Sequence, residues 1–178
     1  MSRENPKEVV VQLKPGDKGV VTQTVPKMIE LGMRDAKDPF IIKIAKGKEG
    51  ATDVETVENI YNWVWKTFPY EKDPDDAEYV TAPIHLVNFN YEHCDCDDMT
   101  TLLIALLDSL GFRMYIKTIA WDKKRCTKND CPFTHVYLVV EIPSLDGYVA
   151  LDAVQKSKGF GRENPPTPII RHLYHQVN

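Results

Sequence analysis

The chain has 178 residues, 43% of them hydrophobic, with 22 basic against 26 acidic side chains and a formal charge of −4. That content suits one globular domain spanning residues 1–178, large enough to bury roughly two thirds of its unfolded surface, and the scattered basic residues leave no electrostatic footprint for nucleic acid. No run approaches the ~18 apolar residues of a membrane span and the first residues lack a signal peptide's apolar segment, so the sequence excludes a membrane partner and points to a soluble, cytoplasmic protein.

Residues 8–24 alternate short valine runs with the turn sequence KPGDKG, which suits a small hairpin or an extended arm over residues 1–23. Val25, Met28, Ile29, Leu31 and Met33 then recur at helical spacing between Thr24 and Lys37. Asp38 followed by Pro39 reads as an N-cap with proline at the first helical position, so a second helix is predicted over 39–46. Thr52 and Glu55 match a capping box, and Val54, Val57, Ile60, Tyr61, Val64, Trp65 and Phe68 trace one face of a third helix. Prolines at 69, 74 and 83 interrupt the next stretch, which is expected to run extended, with Trp65, Tyr70 and Tyr79 as core or groove wall and no catalytic role.

A cluster of cysteines and aspartates, HCDCDD, leads directly into the most apolar helix of the chain. Met99, Leu102, Leu103, Leu106, Leu107 and Leu110 form its stripe, and Gly111 is its stop, so the helix is predicted to be central and buried, beginning near Cys96. A thiol there faces unpaired backbone N–H groups and the positive end of the helix dipole, which favour the thiolate, while Asp95, Asp97 and Asp98 oppose it. Cys96 is therefore a candidate nucleophile. Beyond Gly111 the period changes to two. Residues 112–121, 133–142 and 148–151 read as strands of an antiparallel sheet, the last two joined by the turn SLDG. Pairing through that turn brings His135, early in its strand, beside Asp152 at the end of the next. The tail, 156–178, carries three prolines and is expected to wrap the surface and dock through Ile169, Ile170, Leu173 and Tyr174.

These residues carry a family resemblance. Cys94-Asp95-Cys96-Asp97-Asp98 with LLIALLDSLGF resembles the Gly-Asp-Cys-Asp/Glu-Asp and leucine-rich helix of the transglutaminase-like superfamily. THVYLVVE and GYVALDAV resemble its histidine and aspartate strands, and VENIYNWVWKTFPYEKDP with EYVTAPIHL is similar to the lead-in of its short bacterial and phage members. The resemblance covers residues 24–155, the expected core. It implies an α+β, papain-like fold with a cysteine-bearing central helix on an antiparallel sheet, with Cys96 as nucleophile, His135 as base and Asp152 as the orienting acid, and no cofactor. Cys94 stands where the family has glycine, and Ala153 where it has proline. The implied activity is cysteine-dependent hydrolysis of an amide bond in a peptide or protein substrate. Hydrolysis is expected over amine transfer because the core leaves only a short arm and tail for a second substrate. The rival classes are a protein-glutamine amine transferase, a non-catalytic assembly module, and a zinc protein in which Cys94, Cys96, Cys126 and Cys131, with His93, supply soft ligands. Four cysteines are too few for a disulfide framework at this length, and in a reducing compartment they point to metal or catalysis.

Overall fold

The computed structural model describes residues 10–13, 20–73, 78–89, 94–128, 131–154, 159–163 and 169–178. Its elements run β1 (Val10–Leu13), α1 (Val25–Asp35), α2 (Pro39–Lys46), α3 (Asp53–Thr67), β2 (Glu78–Thr81), α4 (Pro83–Phe89), α5 (Cys96–Asp108), β3 (Met114–Ala120), β4 (His135–Ile142), β5 (Gly147–Leu151) and β6 (Arg171–Gln176). A turn of π-helix, Val20–Thr24, leads into α1. The architecture is α+β: helices gather around α5 on one side of a four-stranded antiparallel sheet ordered β5-β4-β3-β6.

Helix α5 is the axis of the fold. From Asp97 to Leu107 every residue is buried, so the helix is enclosed all round rather than along one stripe. Burying Thr100 and Thr101 is tolerable because their hydroxyls donate to the carbonyls of Cys96 and Asp97 at 2.6 and 2.7 Å. The helix ends as its glycine predicts. Gly111 has φ +83°, its N–H donates to Asp108 O at 2.9 Å, and the N–H of Phe112 donates to Leu107 O at 3.1 Å.

The surrounding helices start where the sequence places their caps. Asp38 accepts the Phe40 N–H at 2.7 Å ahead of α2. Thr52 accepts the Glu55 N–H at 3.1 Å ahead of α3, although Glu55 reaches back to Ala51 N–H, at 2.8 Å, instead of closing a reciprocal box. Val57, Ile60, Tyr61, Val64 and Phe68 form the buried stripe of α3, and Val25, Met28, Leu31 and Gly32 that of α1. On β4, Val136, Leu138, Val140 and Ile142 face this core, while Tyr137 and Val139 join Ile119 and Ala150 on the opposite face of the sheet. There Lys117, buried, pairs with Glu163 and fastens the 159–163 segment to the sheet.

Three segments differ from their sequence reading. β1 forms no local hairpin; it pairs antiparallel with β2, Val10 opposite Thr81, in a separate two-stranded sheet. The KPGDKG turn lies outside the described residues, as do the tail prolines at 165, 166 and 168. The stretch after α3 is extended only as β2 and then turns helical, because Pro83 occupies the first position of α4, where its missing N–H costs nothing. The tail supplies strand β6, held by its backbone ladder to β3 while Leu173 and Tyr174 remain exposed.

At Gly32, α1 packs tightly against α5. A Cβ built there would lie 2.5 Å from Ile104 Cγ2 and 2.9 Å from Ile104 Cβ. Gly32→Ala is therefore expected to destabilise the fold by about 1–3 kcal/mol despite alanine's better helix propensity, measured by chemical denaturation. Unchanged or raised stability would mean the two helices are free to separate.

Candidate active site

Local hydrogen bonding sets the start of α5 so that its first residue is Cys96. Asp95 is the N-cap, its Oδ1 accepting the Asp97 N–H at 3.1 Å, and Asp98 closes the capping box by accepting the Asp95 N–H at 3.4 Å. The other Asp98 oxygen accepts the Thr81 N–H from β2 at 2.6 Å. The strand-like lead-in is fixed as well: Tyr70 bridges Cys94 in parallel, and the Glu71 N–H donates to Cys94 O at 3.0 Å. Cys94 itself is wholly buried, a core thiol two residues before Cys96.

His135 opens β4 and Asp152 follows β5. The last ladder pair of the two strands is Leu138 with Leu151, so one further step along the register makes His135 and Asp152 diagonal neighbours. His135 Nε2 lies 2.9 Å from Asp152 Oδ2, with the imidazole nearly buried and the carboxylate fully so. Tyr61 on α3 donates its hydroxyl to Asp152 O at 3.1 Å, and burial and the adjacent carboxylate push that phenol up to about 12, so it stays a donor. Ala153 is buried beside it. The ring of Tyr137 stacks at a tilt, 5.6 Å from that of His135.

The Cys96 thiol meets this group through the main chain. Pairing with β5 ends at Leu138, which leaves the Val136 N–H free of that ladder, and it is directed at the Cys96 sulfur and favours the thiolate. Cys96 thus sits against the residue after His135. The electrostatics run against the helix-dipole expectation, however. Burial, then Asp95 and Asp97, push the thiol well above its ordinary range. The acids pay for their own crowding: burial and Asp95 push Asp97 far up, and the same two causes bring Asp98 up to about 7 against the Thr81 hydrogen bonds. Asp97 Oδ2 is buried and meets no donor among the described residues, and burial together with Asp95 favours its protonated form.

The four-cysteine zinc reading does not match the arrangement of the described residues. Cys126 and Cys131 are bonded to each other as a disulfide in the β3–β4 loop, and Cys94 and Cys96 are free thiols. Among the described residues the group with ligand atoms close together is Asp95, Cys96 and Asp97, within 4.8 Å of one another; His93 lies outside them. The disulfide also departs from the expectation that these cysteines serve metal or catalysis. No described helix is long and apolar enough to cross a membrane.

No family model matches the chain, and no curated protein matches it. Among solved structures it resembles a "putative protease" from Parabacteroides distasonis, at TM-score 0.54 and 9% identity over 77% of this chain and 26% of that one. It also resembles a "putative cysteine protease" from Cytophaga hutchinsonii, at TM-score 0.51 and 17% identity over 78% of this chain and 43% of that one. The chain shares their fold, and spans about a quarter and two fifths of their lengths.

Glu78, on β2 beside this cluster, is pushed up from 4.5 to about 7 by burial and by Asp95 and Asp73. A folded-state value above the unfolded one means the folded chain holds the proton more tightly. The stability this contributes is complete below about 4.5 and is lost as pH rises through 7. Glu78→Gln keeps an acceptor for the Thr24 hydroxyl, which lies at 3.3 Å, and removes the charge. It is expected to flatten the fall in melting temperature between pH 4.5 and 7 and to raise it at pH 8; a melting curve as steep as that of the parent chain would refute this assignment.

Proposed function

We propose that this chain carries a cysteine-dependent amide-bond hydrolase site of the transglutaminase-like superfamily, with Cys96 as nucleophile, His135 as general base and Asp152 as the acid that orients it. The observation that carries this reading is the His135 Nε2 to Asp152 Oδ2 contact of 2.9 Å, made where the next residue's N–H faces the Cys96 sulfur. With Nε2–H donated to the carboxylate, Nδ1 holds the lone pair that accepts the thiol proton. The resulting imidazolium, paired with Asp152, supplies the positive charge that the acidic surroundings of Cys96 otherwise deny the thiolate.

The thiolate attacks the carbonyl carbon of a peptide or protein amide. His135 returns the proton to the departing amine, leaving a thioester on Cys96, and then activates the water that hydrolyses it. The protease names of the two structural neighbours agree with this class of reaction.

Incubating the protein with a peptide library and a labelled primary amine, followed by mass spectrometry, tests the assignment. New peptide termini are expected from the parent chain and none from Cys96→Ala. His135→Ala should lower turnover by about 100- to 10,000-fold, and Asp152→Ala by less, with both variants still folded. Amine incorporation at glutamine without cleavage would replace hydrolase by transferase, and neither product would favour a binding module.

A further inference from the structure

Attack of a thiolate on an amide builds negative charge on the carbonyl oxygen, and a site that holds this charge needs donors aimed at it. The Cys96 N–H, at the first position of α5, is one such donor, because the first N–H groups of a helix have no intrahelical acceptor. A lysine or arginine beside it would be drawn into an ion pair with Asp95, whereas a neutral hydroxyl would not. Tyr70 carries a neutral hydroxyl on the segment that flanks this cap. Tyr70 is bridged to Cys94, two residues before the nucleophile, so its main chain is stitched to the segment that positions Cys96. Its side chain is 45% exposed, unusual for a large aromatic beside a core thiol and suited to contact with a substrate.

We propose that the Tyr70 hydroxyl is the second oxyanion donor of the site, a catalytic residue in the acyl transfer proposed above, on which this inference rests. As the sulfur–carbon bond forms, the carbonyl π pair moves to oxygen, and that oxygen accepts from the Cys96 N–H and the Tyr70 O–H. When the pair returns, the carbonyl is restored, the carbon–nitrogen bond breaks and His135 protonates the departing nitrogen. Tyr70 only donates a hydrogen bond and keeps its proton. Its electrostatic setting agrees: after burial, Cys96 is the strongest influence on the phenol, ahead of Asp95 and Asp97, and together they push it up to about 12. The phenol is therefore within electrostatic reach of the thiol and keeps its proton at neutral pH. A groove-wall role alone for Tyr70 misses this.

Two reagents separate the role from its alternatives, because acylation passes through an oxyanion and alkylation does not. Cys96 is reacted with p-nitrophenyl acetate and, separately, with iodoacetamide at pH 7.5, and the modified residue is located by peptide mass. Tyr70→Phe, which keeps the ring, is expected to slow acylation by about 10- to 100-fold and to leave alkylation within about twofold of the parent chain. Unchanged acylation, or equal slowing of both reactions, would overturn the role. If Cys96 of the parent chain resists both reagents, the hydrolase reading itself fails, an outcome distinct from failure of Tyr70 alone.

Discussion

A single buried carboxyl group, that of Asp98, holds the start of α5 to the rest of the molecule. One oxygen takes the Thr81 N–H of β2 and the other the Asp95 N–H of the helix cap, so the same group joins a strand, a cap and the residue between them. Removing it would strand two buried donors at about 1–3 kcal/mol each. The first helical residue is then Cys96, with its sulfur directed at β4. The main-chain bridge from Tyr70 to Cys94 and the Tyr61 hydrogen bond to Asp152 do the same for the flanks, fixing groups from α3, the lead-in and the sheet around one point.

That construction has an electrostatic cost. Capping the helix with Asp95 and Asp98 and burying Asp97 beside them gathers acids around a thiol that the proposed mechanism makes negative. The helix dipole and the Val136 N–H favour the thiolate, but burial and the two nearest carboxyl groups outweigh them. In the proposed mechanism the balance is restored by the imidazolium formed on His135, so thiolate and imidazolium appear together or not at all. Local rules of charge and burial are violated here, the pattern expected where function and stability compete.

Periodicity made much of the fold legible. The helical spacing of Met99, Leu102, Leu103, Leu106 and Leu107, the stop at Gly111 and the proline-bearing start at Pro39 each depend on neighbours within a few residues, and each is realised. The meeting of His135 and Asp152 was legible because a short turn sets the register of two adjacent strands. It is a tight one, with Asp146 in the left-handed region at φ 49° just before Gly147. Long-range pairings were not legible. Val10–Leu13 gives no sign that its partner is Glu78–Thr81, and Pro83 reads as a breaker until its place at a helix start is seen. Nor does spacing alone distinguish Cys126 and Cys131 as partners of one another from ligands of a shared metal. The pairing of Tyr70 with Cys94 depends on a main-chain bridge between an irregular stretch and a cap, which leaves no periodic trace.

The central claim is that His135, held by Asp152, is the charge that makes Cys96 a nucleophile. It is tested most directly by the rate of iodoacetamide alkylation at Cys96 measured from pH 4 to pH 10 in the parent chain and in His135→Gln. The account predicts a reactive thiolate population in the parent chain already at pH 6 to 7, and its loss in the variant, where alkylation should begin only well into the alkaline range. Superimposable profiles, both rising only at alkaline pH, would contradict it and leave Cys96 an ordinary core thiol.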